Sequence, residues 1–139
     1  MRHSFFLEID PPTATAQERK VDTRRGFPRF YDPAGVKYAK ELLTLELKMH
    51  RPPRLMEGPL KLTVEWRFRA RTHKPETWRN TKPDTDNLQK LLKDCMTRTG
   101  FWRDDAQVCW EDCRKFWSRV PGIWITVEEL TKEIKDAKV

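Results

Sequence analysis

Between Leu60 and Ala70 the chain alternates without a break, with Leu60, Leu62, Val64, Trp66, Phe68 and Ala70 set against Lys61, Thr63, Glu65, Arg67 and Arg69. Side chains of an extended strand point to opposite faces with a period of two, so this run can bury one face and one only. A strand of this kind near the middle of 139 residues asks for cover on its apolar side. Two amphipathic stretches can supply it. Asp32-Pro33 has the form of a helix start, Asp as N-cap and Pro at the first helical position. Val36, Ala39, Leu43 and Leu47 then keep one face until Pro52-Pro53 forbids continuation. Leu88, Leu91, Leu92, Cys95 and Met96 fall at helical spacing on one stripe. Asp86 and Gln89 have the D-x-x-Q form of a capping box, and Gly100 suits a left-handed helix end.

The remaining strands are shorter. Phe5 to Ile9 reads as a first strand, and Gln107 to Trp117 and Gly122 to Val127 as two more, joined by a turn at 118–121. Residues 10–31 and 71–83 read as loops, because Pro, Thr and charges leave no apolar period. Residues 128–139 read as a polar C-terminal helical tail packing through Leu130, Ile134 and Ala137. The expected architecture is a single α+β domain over 1–139, with a mixed sheet of about four strands packed against helices.

Charge narrows the class of partner. Lys and Arg number 28 against 21 acids, a net charge of +7, and the isoelectric point is near 9.5. Such an excess favours a polyanion, nucleic acid first, with a merely soluble basic domain as the plain alternative. The start MRHSFFLEID has an apolar run of three residues before Glu8, so neither a signal peptide nor a membrane span is expected. Cys95, Cys109 and Cys113 are odd in number and have no histidine close in sequence, which points to reduced core thiols of a cytoplasmic protein. His3, His50 and His73 are scattered outside the acidic segment, which argues against a histidine general base.

That segment, residues 82–108, gathers carboxylates in a basic chain. Asp84 and Asp86 stand where a loop meets a helix start, and their spacing lets both face one point in extended backbone. The turn at Gly100 allows the chain to return, so that Asp104-Asp105 could close on the first pair. Converging carboxylates repel unless a hard divalent cation takes the charge, and Mg²⁺ prefers a few oxygen ligands with retained waters. Lys90 lies one turn beyond Asp86 on the same helix face. Carboxylates, Mg²⁺ and a lysine in a basic protein suggest phosphodiester hydrolysis. The plainer readings stay open from spacing alone: Asp86 as a helix cap, Asp104-Asp105 as a solvated turn, Lys90 as the partner of Asp94.

The run KPDTDNLQKLLKD followed by GFWRDDAQV closely resembles the signature of the RusA family of Holliday-junction resolvases, small endonucleases of phages and prophages. Weaker agreement extends to RFYDPAGVKYAKEL and VPGIWITVEEL. The resemblance implies that Asp84, Asp86 and Asp105 are metal-binding catalytic aspartates and that Lys90 is a catalytic lysine. Asn87 and Asp104 match the motif as supporting residues. It also implies an α+β homodimer that nicks opposed strands of four-way junctions in recombination and repair. Its cofactor is Mg²⁺, for which Mn²⁺ can substitute, with no small-molecule cofactor and no membrane partner, in a bacterial or phage-infected cytoplasm. Arg19, Lys20, Arg24, Arg25, Arg29 and Lys82 are the candidate DNA-binding residues, the loop arginines being interleaved with Phe27, Phe30 and Tyr31. The rival expectations are a metal nuclease acting on flaps, forks or other branched DNA, and an inactive junction-binding protein.

Overall fold

The computed structural model describes residues 1–15, 20–22, 29–31 and 34–134. The elements run β1 (Arg2–Leu7), β2 (Lys20–Asp22), β3 (Arg29–Tyr31), α1 (Ala34–Met49), β4 (Leu60–Arg69), β5 (Thr77–Trp78), α2 (Thr85–Thr99), β6 (Val108–Ser118) and β7 (Gly122–Glu129). A 3₁₀ turn at Asp105–Gln107 precedes β6. The fold is α+β, and the main sheet has five strands in the order β1-β7-β4-β6-β5. The alternating strand is therefore central. It pairs parallel with β6 and antiparallel with β7.

Packing follows the alternation. Leu60, Leu62, Val64, Trp66 and Phe68 are buried together with Leu43 and Leu47 of α1 and Leu88, Leu91, Leu92, Cys95 and Met96 of α2. Both helices thus cover one face of the sheet. The opposite face stays open, with Lys61 over the Trp110 ring, Arg67 over Phe116 and Phe6 against Trp124. Trp66 is a core residue, whereas Trp110 and Trp124 stand on the open face, 51% and 43% exposed. Among the described residues no helix is long and apolar enough to cross a membrane.

Gly100 ends α2 in the left-handed region, with φ 89°, and its N–H returns to the Met96 and Thr97 carbonyls. Trp102 anchors the following turn, almost fully buried and donating its indole N–H to Thr97 Oγ1 at 2.7 Å. The helix start differs from expectation. Asp84, not Asp86, occupies the N-cap position, because Thr85 is already helical. Gln89 then lies too far along to reach back to the cap, and it is buried instead.

The expected four strands are five in the main sheet, with a separate two-stranded ribbon of β2 and β3 inside the 10–31 segment. Pieces of two or three residues are too short to show a period. β1 begins and ends earlier than the expected 5–9. Glu128 and Glu129 do not start a helix: they extend β7, where Glu128 sits opposite Arg2 and Glu129 opposite Leu60. Residues 130–134 are not helical, and 135–139 and the Asp32-Pro33 start lie outside the described residues. Cys95 is buried as expected, while Cys109 is exposed at the start of β6.

A polar contact pins α2 in the otherwise apolar layer. Trp66 donates its indole N–H to Gln89 Oε1 at 2.7 Å, and Gln89 Nε2 donates to Glu111 of β6 at 3.1 Å. Replacing Gln89 by Leu keeps the volume and strands the buried Trp66 N–H. The expected loss is ~1–3 kcal/mol, read in denaturant titrations as a lower midpoint at unchanged slope. An unchanged midpoint would show that the indole finds another acceptor.

Candidate functional site

The N-terminal end of α2 is fixed from the sheet side. The inward positions of β6, those opposite Leu62, Val64, Trp66 and Phe68, are Glu111, Cys113, Lys115 and Trp117. Lys115 donates to the carbonyls of Thr81 and Pro83, and Arg79 donates to the Lys82 carbonyl. Arg79 is itself held between the rings of Phe68 and Trp117, at 4.3 and 4.4 Å. Burial lowers the pKa of both bases, and Arg79 lowers that of Lys115 further while Asp84 pulls it back up. The 80–84 segment is thereby bound to β6 through its backbone, with Pro83 buried and Asn80, Thr81, Lys82 and Asp84 left exposed.

Asp84, Asp86 and Lys90 are all exposed, and Asn87 is half-buried. Asp84 makes no capping bond with its side chain. Among the described residues none of the three charged side chains forms a hydrogen bond or ion pair, so Lys90 is not paired with Asp94. Asp86 and Lys90, four residues apart, share the outward face opposite the buried Leu88, Leu91 and Leu92.

The second acidic pair is divided in its use. Asp104 Oδ1 accepts from the Ala106 N–H at 3.0 Å, and Gln107 Oε1 accepts from the N–H groups of Arg103 and Asp104. The capping box of this protein is therefore Asp104 with Gln107. The carboxylate of Asp105 has no protein partner among the described residues.

The two acidic groups do not meet within one chain. α2 has 15 residues, about 22 Å at 1.5 Å per residue, and β6 runs antiparallel to it. Lys115 lies beside the start of the helix, Glu111 beside its middle through Gln89 and Lys93, and Asp105 beyond its end. Asp84 and Asp86 thus stand at one end of the helix and Asp104-Asp105 at the other. Among the described residues no group of three or more His, Cys, Asp or Glu side chains is close enough to hold a metal ion.

Of the candidate DNA-binding residues, Lys20 and Arg29 lie in the β2–β3 ribbon, opposite Tyr31 and Asp22. Lys82 is exposed beside Asp84. Arg19, Arg24 and Arg25 lie outside the described residues. Sequence reasoning missed Arg79 and Lys115. Lys115 carried a signal nonetheless, as a charge in the inward phase of β6.

The floor under Asp104-Asp105 is the 54–58 segment. Gln107 Nε2 donates to the carbonyls of Met56 and Gly58 at 3.2 and 3.1 Å. On its other side Glu129 takes a two-pronged bond from Arg54 at 2.8 and 2.9 Å and the Glu57 N–H at 2.8 Å. The Arg54 guanidinium first, and the Glu57 N–H second, hold the Glu129 carboxyl well below the usual range. A carboxyl with a depressed folded-state pKa stabilises the fold above its unfolded value, near 4.5, and loses that contribution as pH falls toward the folded value. Glu129→Gln is therefore expected to be less stable than wild type at pH 7, with the gap narrowing as pH drops below about 4.5. Denaturant midpoints at pH 7 and pH 3 measure it, and a constant gap would assign the effect to packing.

A family model described as Endodeoxyribonuclease RusA matches residues 10–128 of this chain. A protein of Lactococcus phage r1t, named crossover junction endodeoxyribonuclease rusA, is 30% identical over 133 residues, covering 94% of this chain and 100% of that protein. The uncharacterized protein YqaN of Bacillus subtilis strain 168 is 28% identical over 138 residues, 91% of this chain and 96% of its own. The crossover junction endodeoxyribonuclease RusA of Escherichia coli K12 is 45% identical over 47 residues, 34% of this chain and 37% of that one.

Proposed function

This chain belongs to the RusA family of endodeoxyribonucleases, and on that premise we propose that it is a divalent-metal-dependent nuclease that resolves four-way DNA junctions as a homodimer, in recombination and repair. One observation carries the reading. The carboxylates of Asp84, Asp86 and Asp105 form no hydrogen bond or ion pair among the described residues, whereas neighbouring Asp104 and Glu111 are bonded. A fold that ties its structural acids and leaves the motif's acids free has oxygen donors to give to something else.

That donor set fits Mg²⁺, a hard cation that takes carboxylate oxygens and keeps waters; Asp84, Asp86 and Asp105 would hold it, with Asp104 fixing the turn and Asn87 beside the first pair as a supporting residue. When bound, the ion would supply charge neutralisation and an acidified water for phosphodiester hydrolysis. Lys90 extends from the same helix face as Asp86, where an ammonium would stabilise charge developing on the phosphate. Arg19, Lys20, Arg24, Arg25, Arg29 and Lys82 would follow the backbone of the junction arms.

The antiparallel run of α2 and β6 gives the dimer a task. β5 pairs with β6 at Phe116 and Trp117, and the Arg79 N–H reaches the Lys115 carbonyl, so the outer edge of β6 ahead of Lys115 is unpaired among the described residues. Antiparallel pairing of that edge with a second copy would lay the start of one α2 beside the end of the other. Asp84 and Asp86 of one chain would then face Asp105 of its partner, and the two-fold axis would match that of the junction.

Asp84→Asn, Asp86→Asn and Asp105→Asn are each expected to lower junction cleavage by orders of magnitude in Mg²⁺ while binding in EDTA holds or tightens. Cleavage within about tenfold of wild type, only ~1.4 kcal/mol of transition-state stabilisation, would remove these residues from the site. Running flaps, forks and plain duplex alongside the junction checks the substrate, and equal cleavage of all four would sink the resolvase reading.

Mixing tests the shared site. A heterodimer of Asp84→Asn and Asp105→Asn chains keeps one unaltered set of acids if each site draws on two chains, and none if each site lies within one. The expected outcome is recovered single nicking from two inactive proteins, in about half of the dimers at equal mixing. No recovery, with mixed dimers shown to form, would place each site in one chain.

Junction affinity is also expected to fall steeply with salt. Replacing Arg24 and Arg25 by Ala should flatten the slope by roughly one unit for each phosphate no longer neutralised. A slope equal to that of wild type would place these two arginines away from the DNA.

A further inference from the structure

At the end of the sheet where Asp84 stands, a cleft of about 510 Å³ opens between the 10–13 segment, the end of β4 and the 71–79 loop. Its size is that of small-ligand sites. Its lining is aromatic and cationic together: Phe68, Trp117 and His73 supply rings, and Arg69, Arg71 and Arg79 supply guanidinium groups. The rings are already stacked. His73 lies parallel on Trp117, with centroids 3.8 Å apart and planes 5° apart, and Arg79 fills the space between Trp117 and Phe68. His73 is exposed, so the column ends in a ring with room for another flat group.

The loop that carries His73 is held in shape. Arg71 and Glu76 both take positive φ, 52° and 62°, an arrangement that non-glycine residues adopt only where the surroundings impose it. Here Glu76 N–H donates to the Trp117 carbonyl at 2.7 Å, and the Glu76 carboxylate accepts from Ser118 Oγ at 3.1 Å and the Arg119 N–H at 3.3 Å. At the rim, Asp10 and Arg69 form an exposed ion pair, which offers an acceptor and a donor to the edge of a planar ligand. The side chain of Arg71 has no such acid partner among the described residues. The cleft also communicates with the acids, since Arg79 in its wall is bonded to the Lys82 carbonyl two residues before Asp84.

We propose that this cleft holds one unstacked nucleotide of the bound DNA strand, its base on the His73–Trp117 column and its phosphate at Arg71, beside the position where the strand is cut. The assignment rests on the nuclease reading for its last clause only. Aromatic rings accept any base by stacking, and guanidinium groups take the phosphate. Branched DNA offers nucleotides that are easily unstacked where strands exchange. Occupation of the cleft would set the register of the strand against Asp84.

The test uses 2-aminopurine, whose emission reports stacking, placed singly at each position around the crossover of a four-way junction and in one single-stranded oligonucleotide of the same sequence, all in EDTA. The expected result is an emission change of at least twofold at one position on binding, with its neighbours silent. His73→Ala and Arg71→Ala, both exposed positions whose folding is checked by thermal denaturation, are expected respectively to abolish and to halve that change, with protein raised until each probe is saturated. No responsive position on either probe, or a response that survives in both variants, overturns the proposal. Quenching of tryptophan emission by free deoxynucleoside monophosphate, with no strand position responding, also overturns it by making the cleft a small-molecule site. Cleavage of the unmodified junction in Mg²⁺ is scored separately. Cleavage without a responsive position removes the cleft and leaves the nuclease, and a His73-dependent response without cleavage keeps the cleft and removes the nuclease.

Discussion

The seating of α2 on the central strand is the constraint on which the rest depends. Leu88, Leu91, Leu92, Cys95 and Met96 give the helix an apolar stripe, but a stripe alone would let it slide or turn. The bond from buried Trp66 to Gln89 removes that freedom, because an unmet indole N–H in this layer would be costly. Once Gln89 faces the sheet, Asp86 and Lys90 must face away, and Asp84 must stand at the rim. The direction of the outward side chains follows from a bond on the inward side.

Polar groups in the inward phase of β6 complete the same design. Glu111 receives Gln89 and Lys93 of α2, and Lys115 donates to the backbone carbonyls of Thr81 and Pro83. A strand with Glu and Lys pointing toward a helix layer looks like an error until their partners are seen. Both serve to tie α2 and the segment before it, so the acids at the helix start rest on a bonded support rather than on a free loop.

Much of this was legible in the chain. The alternation at 60–70 located the central strand and its single buried face, the stripe at 88–96 located α2, and Gly100 located its end. The alternation and the stripe survived intact, whereas the expected first strand shifted to Arg2–Leu7 and the expected tail helix did not form at 128–134. Thr77–Trp78 was invisible because two residues have no period. Glu128 and Glu129 suit a helix by local sequence, and Arg2 and Arg54, which hold them in β7, lie far away along the chain. The motif's residue types were plain, but their grouping was not. Spacing along the chain would bring Asp105 back toward Asp84 only if the chain returned before reaching it, and here Asp105 precedes β6, whose 11 residues make the return along the helix. The pairing of Asp104 with Gln107 is equally local, but the same D-x-x-Q pattern occurs at Asp86, which already lies inside the helix and cannot cap it.

The central position of β4 has a further consequence, for the order in which the chain can fold. β6 and β7 are consecutive, yet β4 lies between them, and the short 119–121 link must cross its end, a span of about 10 Å for two strand spacings. These two strands cannot zip up as a local hairpin, since neither is the other's partner. β1 pairs only with β7, Arg2 opposite Glu128, so the first strand made waits for the last. Sheet formation is therefore dominated by pairings distant in sequence, which slow folding. The helix layer is the part that can form early, and α1 and α2 docked on β4 would offer β6 and then β7 a template on either side of it. The last strand laid down closes the sheet from both flanks at once.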